Sequence, residues 1–158
     1  MPRFATFTLP LCAFSIVLCQ KIPEVNAPGV STRLPEAKCD FHVRENGPDG
    51  KLVTGVSLDT SLFYDITCKP SKGFCLRVSN CTVTGDEKGS VPYPIIDANG
   101  CTLEESLFGH VQYRTDFQAG IANPYPIRFR GASSAVIFYC QTTLEPKEGT
   151  KCEHFTCK

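Results

Sequence analysis

"FCLRVSNCTVTG", Phe74–Gly85, is the stretch on which the fold turns. It is long, rich in β-branched residues, and ends at the polar turn "GDEKG". A run of this kind bounded by a turn reads as a strand. Beyond it an apolar "YPIID", Tyr93–Asp97, leads into a second turn, "DANG". Upstream, "CDFHVR" sets Cys39, Phe41 and Val43 against Asp40, His42 and Arg44, a period of two. The turn "NGPDG" follows, and then "KLVTGVSL" and "SLFYDITC" read as further strands. Downstream the strand signals are "VQYRTDF", "PIRFRG" and "SAVIFYCQTT". In the last, Val136, Phe138 and Cys140 share one face, and Ala135, Ile137 and Tyr139 share the other. Both faces are apolar, which predicts a central strand covered on both sides. One segment breaks the pattern. In "TLEESLF", Thr102 and Glu105 form a capping box, and Leu103, Leu107 and Phe108 fall on one face, predicting a short helix near 102–108. Short strands separated by turns point to an all-β sandwich.

The N-terminus reads differently. "MPRFATFTLPLCAFSIVLCQ" has Arg3, then a mostly apolar run from Phe4 to Leu18, with Val17 and Cys19 small enough for a peptidase site. This predicts a signal peptide over residues 1–19. A spanning helix needs about 20 strongly apolar residues, and this run is interrupted by Thr6, Thr8, Pro10 and Ser15. A lipoprotein signal lacks its small residues before the cysteine, and a cut after Ala27 would place Pro28 next. Residues 20–37, with three prolines, read as an extended leader, and residues 38–158 as one domain.

Beyond the predicted cut lie Cys39, Cys68, Cys75, Cys81, Cys101, Cys140, Cys152 and Cys157. An even number in an oxidising compartment predicts four disulfides. Lys plus Arg equal Asp plus Glu at 16 each, with no basic block, so neither nucleic acid nor an anionic membrane is an expected partner. No second apolar span follows, so no membrane anchor is expected. The expected location is extracellular.

Catalytic and metal chemistry fit poorly. "CEHFTC" offers Cys152, His154 and Cys157, but its cysteines are four residues apart rather than two, and no second pair matches them. The histidines His42, His110 and His154 accompany no serine in a nucleophile elbow. Eight paired cysteines leave no thiolate. Glycine-rich phosphate loops are absent. No enzyme activity, metal or other cofactor is expected. Asn80-Cys81-Thr82 fits the N-glycosylation pattern, with Asn80 as candidate acceptor inside a predicted strand.

Five segments taken together carry a family resemblance: "LRVSNCTV", "IIDANGCTLEESLF", "QYRTDFQAG", "IRFRGASSAVIFYCQ" and "KCEHFTC". In this order they resemble the C-terminal half of the zona pellucida (ZP) module, in the form found in nematode cuticlin-like proteins. The likeness runs from Cys39 to Cys157. It implies an immunoglobulin-like β-sandwich and a secreted, non-catalytic, matrix-forming protein whose partners are other ZP or matrix proteins. It also implies the pairs Cys81–Cys140 and Cys101–Cys157. The family's usual partner of Cys152 is missing, because Glu145 stands about where it would be. Cys75 is outside the family pattern. By elimination Cys75 is assigned to Cys152, and Cys39 to Cys68. ZP precursors carry an N-terminal half that drives polymerisation and a C-terminal propeptide that fills a slot in this half. The chain has about 19 residues between the predicted cut and Cys39, and it ends at Lys158. The expectation is a slot without its own strand, in a chain that does not polymerise alone. That strand is expected from a partner or from the leader, Gln20–Ala37. A binding module for an unrelated receptor or glycan is the alternative, and a truncated gene product the plainer one.

Overall fold

Phe74–Gly85 is a strand over its whole length. The computed structural model describes residues 34–53, 60–85, 90–125, 127 and 136–158. The predicted signal peptide, residues 20–33 of the leader, and most of "KLVTGVSL" and "PIRFRG" lie outside the described residues. Seven strands form: β1 (Cys39–Glu45), β2 (Leu62–Cys68), β3 (Phe74–Gly85), β4 (Tyr93–Pro94), β5 (Gln112–Thr115), β6 (Gln118–Asn123) and β7 (Val136–Pro146). They make two antiparallel sheets, ordered β1-β2-β6-β5 and β4-β3-β7. The first order is that of strands A-B-E-D in an immunoglobulin-like sandwich, and β3 and β7 take the places of C and F. The place beside β7, where G would lie, has no strand among the described residues.

The inward faces follow from the period of two. Leu76, Val78, Cys81 and Val83 of β3 face Tyr64, Ile66 and Cys68 of β2 and Ala119 and Ile121 of β6. Ile95, Ile96 and Phe108 complete this core. In β3 the period breaks once. Ser79 pairs with Gln141 and Thr82 with Tyr139, so Asn80 and Cys81 oppose Cys140 alone. This is a β-bulge. Asn80 takes a φ of 48°, which Asn tolerates better than most residues. The extra residue is what lets Cys81 point inward three positions after Val78.

The outward face of the four-stranded sheet is partly buried too. Phe63 is 2% exposed, and its ring lies over Gly120 on the neighbouring strand. Beside it Asp65, also 2% exposed, accepts from Arg44 Nε at 2.9 Å and from Arg114 Nη2 at 2.8 Å. One carboxylate with both oxygens paired thus joins β1, β2 and β5.

The predicted helix near 102–108 is not formed, and the described residues contain no helix. The segment is a single turn in which Leu107 and Phe108 both donate to the Glu104 carbonyl. The Thr102 hydroxyl accepts from the Glu104 amide rather than from Glu105. The Thr102 amide donates to His110 Nδ1 and the Leu103 amide to the Ile95 carbonyl. His110 thus takes the Thr102 amide that a capping box would give to the Glu105 side chain, and seven residues are too few to nucleate a helix unaided.

Gly120→Ala would place a Cβ 2.2 Å from the Phe63 ring. It is expected to destabilise the fold by about 1–3 kcal/mol in denaturant unfolding. Gly109→Ala, whose Cβ would meet Ala122 at an ordinary 3.6 Å, is expected to be nearly neutral.

Candidate functional site

The apolar pattern of "SAVIFYCQTT" predicts a strand covered on both faces, but β7 is an edge strand. Among the described residues it pairs with β3 alone. Its inward face is core, whereas outward-facing Ile137 and Tyr139 are 50% and 64% exposed. Across the ladder these two lie opposite Thr84 and Thr82, and Thr82 in turn pairs with Pro94. The misreading has a simple cause: apolar residues on both faces ordinarily mean cover on both faces.

An aromatic ladder closes the flank below this edge. Phe138 of β7 stacks on Tyr64 with centroids 4.2 Å apart, and on Phe41 of β1 at 5.3 Å. Phe41 stays 41% exposed. The Tyr64 hydroxyl donates to Asn123 Oδ1, and burial pushes its pKa up to about 12. The rim between β1 and β7 is therefore apolar, and beside it runs a main-chain edge that no strand pairs among the described residues.

The eight cysteines predicted to pair form four bonds. Cys39–Cys68 joins directly opposed residues of β1 and β2. Cys81–Cys140 joins β3 to β7 at the bulge. Cys75–Cys152 and Cys101–Cys157 hold the C-terminal segment. The residues weighed for zinc are thereby separated, since Cys152 and Cys157 bond different partners. Cys101, His110 and Cys157 do cluster within 4.8 Å. Their two sulfurs are bonded to each other, however, and His110 Nδ1 accepts from the Thr102 amide. A zinc site needs thiolates, and disulfide sulfur offers none. His42 lines a polar groove of about 460 Å³ with Asp40, Arg44, Asp49, Asp65 and Arg114. The Asp65 oxygens there are already occupied by guanidinium groups, which makes the cluster a clamp on the sheet.

His154 lies flat on Tyr113, with centroids 3.4 Å apart and planes at 2°. The Tyr113 hydroxyl accepts from the Val78 amide at 2.9 Å and donates to the Val78 carbonyl, tying β5 to β3 across the sandwich. Nothing in the sequence pattern pointed to this contact or to the Phe41–Phe138–Tyr64 ladder. Asn80 is exposed at the bulge, its Nδ2 donating to Gln141 Oε1 at 2.9 Å.

The family model for the cuticlin C-terminal domain matches residues 34–158. The chain belongs to that family. Among its relatives in Caenorhabditis elegans, Cuticlin-3 is 30% identical over 128 residues, covering 78% of this chain and 32% of the relative. Cuticlin-1 is 27% identical over 128 residues, with 78% and 29% covered, and Cuticlin-6 is 30% identical over 125, with 75% and 21% covered. The chain thus spans about a third or less of the length of these relatives.

Within this cuticlin domain Glu145, where the family resemblance expects a cysteine, is the direct cross-strand neighbour of Cys75. Directly opposed residues put their Cβ atoms about 5 Å apart on the same face. Moving the sulfur across one ladder pair therefore still lets it reach Cys152. Cys75→Ser alone is expected to leave Cys152 as a free thiol and to cost about 2–4 kcal/mol. Combining it with Glu145→Cys is expected to restore a chain without free thiols, as read by alkylation and intact mass. Two free thiols in the double variant would refute the exchange.

His154 gives a pH expectation. Burial lowers its pKa from the usual 6.5, with Asp116 and Glu145 pulling it up and Arg77 pushing it down. The unfolded chain therefore takes the proton first, and stability falls as pH drops. The contribution is complete above pH 6.5 and is lost as pH falls through the folded-state pKa. Imidazole titration by NMR is expected to show a midpoint below 6.5. Against His154→Gln, the extra stability of the parent chain should shrink over the same range.

Proposed function

We propose that this chain is a secreted, non-catalytic structural component of a disulfide-rich, cuticle-type extracellular matrix. It docks to other matrix proteins by accepting an extended strand on the edge of β7 that no described strand pairs. The observation that carries the reading is β7 itself, an edge strand with apolar residues on both faces. Soluble proteins usually blunt such edges with charge, proline or a covering loop. Here Ile137 and Tyr139 stand exposed on one face, and Phe138 and Phe41 form the rim on the other. An added strand gains affinity from main-chain hydrogen bonds and specificity from alternate side chains, which Phe41 and Phe138 would meet on one face and Tyr139 on the other. Membership in a family whose relatives are named cuticlins supports the matrix setting. The donor strand comes from another matrix protein or from the leader, residues 20–37.

The test combines retention and exchange. The chain is expected in the insoluble, reductant-extractable fraction of such a matrix, with its β7 amides exchanging more slowly than in the free protein. Tyr139→Lys, an exposed change, is expected to keep the fold and lower retention several-fold. Equal exchange in both settings would refute edge docking while leaving the matrix role. Free diffusion of the unaltered chain would refute both.

A further inference from the structure

Asn80-Cys81-Thr82 is the one N-x-Ser/Thr sequence in the chain. In a regular strand its side chain would simply alternate with its neighbours. At the bulge the Asn80 backbone amide still donates to the Asp97 carbonyl at 2.9 Å, while the side chain faces out where the folded sheet can accommodate a bulky group. The pairing of β3 with β7 skips from Ser79 to Thr82, so Asn80 leaves the regular alternation. It adopts a φ of 48° and is exposed. Its side-chain amide donates, among the described residues, to the exposed Gln141 at 2.9 Å. Cys81 turns the other way and is 0% exposed, so the neighbouring disulfide lies beneath the sheet and not beside the amide.

We propose that Asn80 carries an N-linked glycan in the exported protein. The proposal rests on the reading above that the chain is secreted. The donor is a lipid-pyrophosphate-linked oligosaccharide. The Asn80 amide nitrogen forms a bond to the sugar C1 as the bond from C1 to the pyrophosphate oxygen breaks. The lipid pyrophosphate leaves, and the amide loses one proton. The cysteine within the motif does not block the step. Its partner Cys140 is 59 residues further along. At about 5–20 residues per second it is made roughly 3–12 s later, so Cys81 has no native partner when the motif first emerges.

The position has a consequence for docking. The glycan rises from the outward face of β3, the central strand of its sheet, and not from the edge of β7. A bulky, soluble group there occupies the face beside Tyr139 and leaves the edge open. It thereby favours strand addition over face-to-face stacking of copies.

The experiment expresses the full chain with its own N-terminus in cultured animal cells. Protein from the medium is treated with peptide-N-glycosidase in heavy-oxygen water, which turns a glycosylated Asn80 into labelled aspartate. The expected result is label at Asn80, lost in Thr82→Ala and retained in Thr82→Ser. Asn80→Gly, which accepts the positive φ without strain, is expected to be secreted without the glycan and to migrate faster. A secreted, fully disulfide-bonded chain with unlabelled Asn80 overturns the proposal and leaves the export reading standing. A chain found only in the cytosol overturns both.

Discussion

The sandwich depends on the register between β3 and β7. A slip of one residue would turn Leu76, Val78 and Val83 outward, because side chains alternate with a period of two. A bulge is where such a slip is easiest, since the extra residue can migrate along the strand. Cys81–Cys140 bonds across this bulge and fixes it. Closing a loop of this size also removes unfolded-state entropy worth about 4 kcal/mol. Other contacts then follow from the fixed register. Phe138 faces inward and meets Tyr64 and Phe41, and the Val78 main chain lies where the Tyr113 hydroxyl can bridge to it.

Strands were legible in the sequence where β-branched or aromatic residues alternate cleanly. β1, β2 and β3 match the segments read from pattern to within a residue or two, because their own side chains supply the buried face. β6 was not legible as a strand. "QAGIAN" holds two alanines and a glycine, and its β structure comes from partners on both sides. Gly120 is in the sheet because the Phe63 ring takes the space a side chain would fill. The failed helix over 102–108 is the converse case. A local capping signal was present, but His110 accepts from the Thr102 amide, and the Thr102 hydroxyl bonds Glu104 rather than Glu105.

The edge position of β7 was half legible. Apolar residues on both faces of β7 announced that it is built for cover, but nothing local says whether that cover lies within the chain. That is a property of strand order, and strand order depends on residues far apart in sequence. The cysteines show the same division. Their even number was readable from composition, whereas their partners depend on which β3 residue faces which β7 residue. The Cys75–Glu145 pairing shows how local the substitution is: one rung of the ladder separates the cysteine present here from the position the family resemblance would favour.

The placement of two of these bonds has a mechanical meaning. From Cys39 a covalent path crosses to Cys68, follows the chain to Cys75, crosses to Cys152 and runs on to Cys157. That path has about twelve residue steps, on the order of 40–50 Å at full stretch. The same span without the bonds could extend to roughly 400 Å. Under tension the domain therefore behaves as a short tether. Pulled between its ends, most of the sandwich lies off the line of force and lengthens little, even if its hydrogen bonds give way.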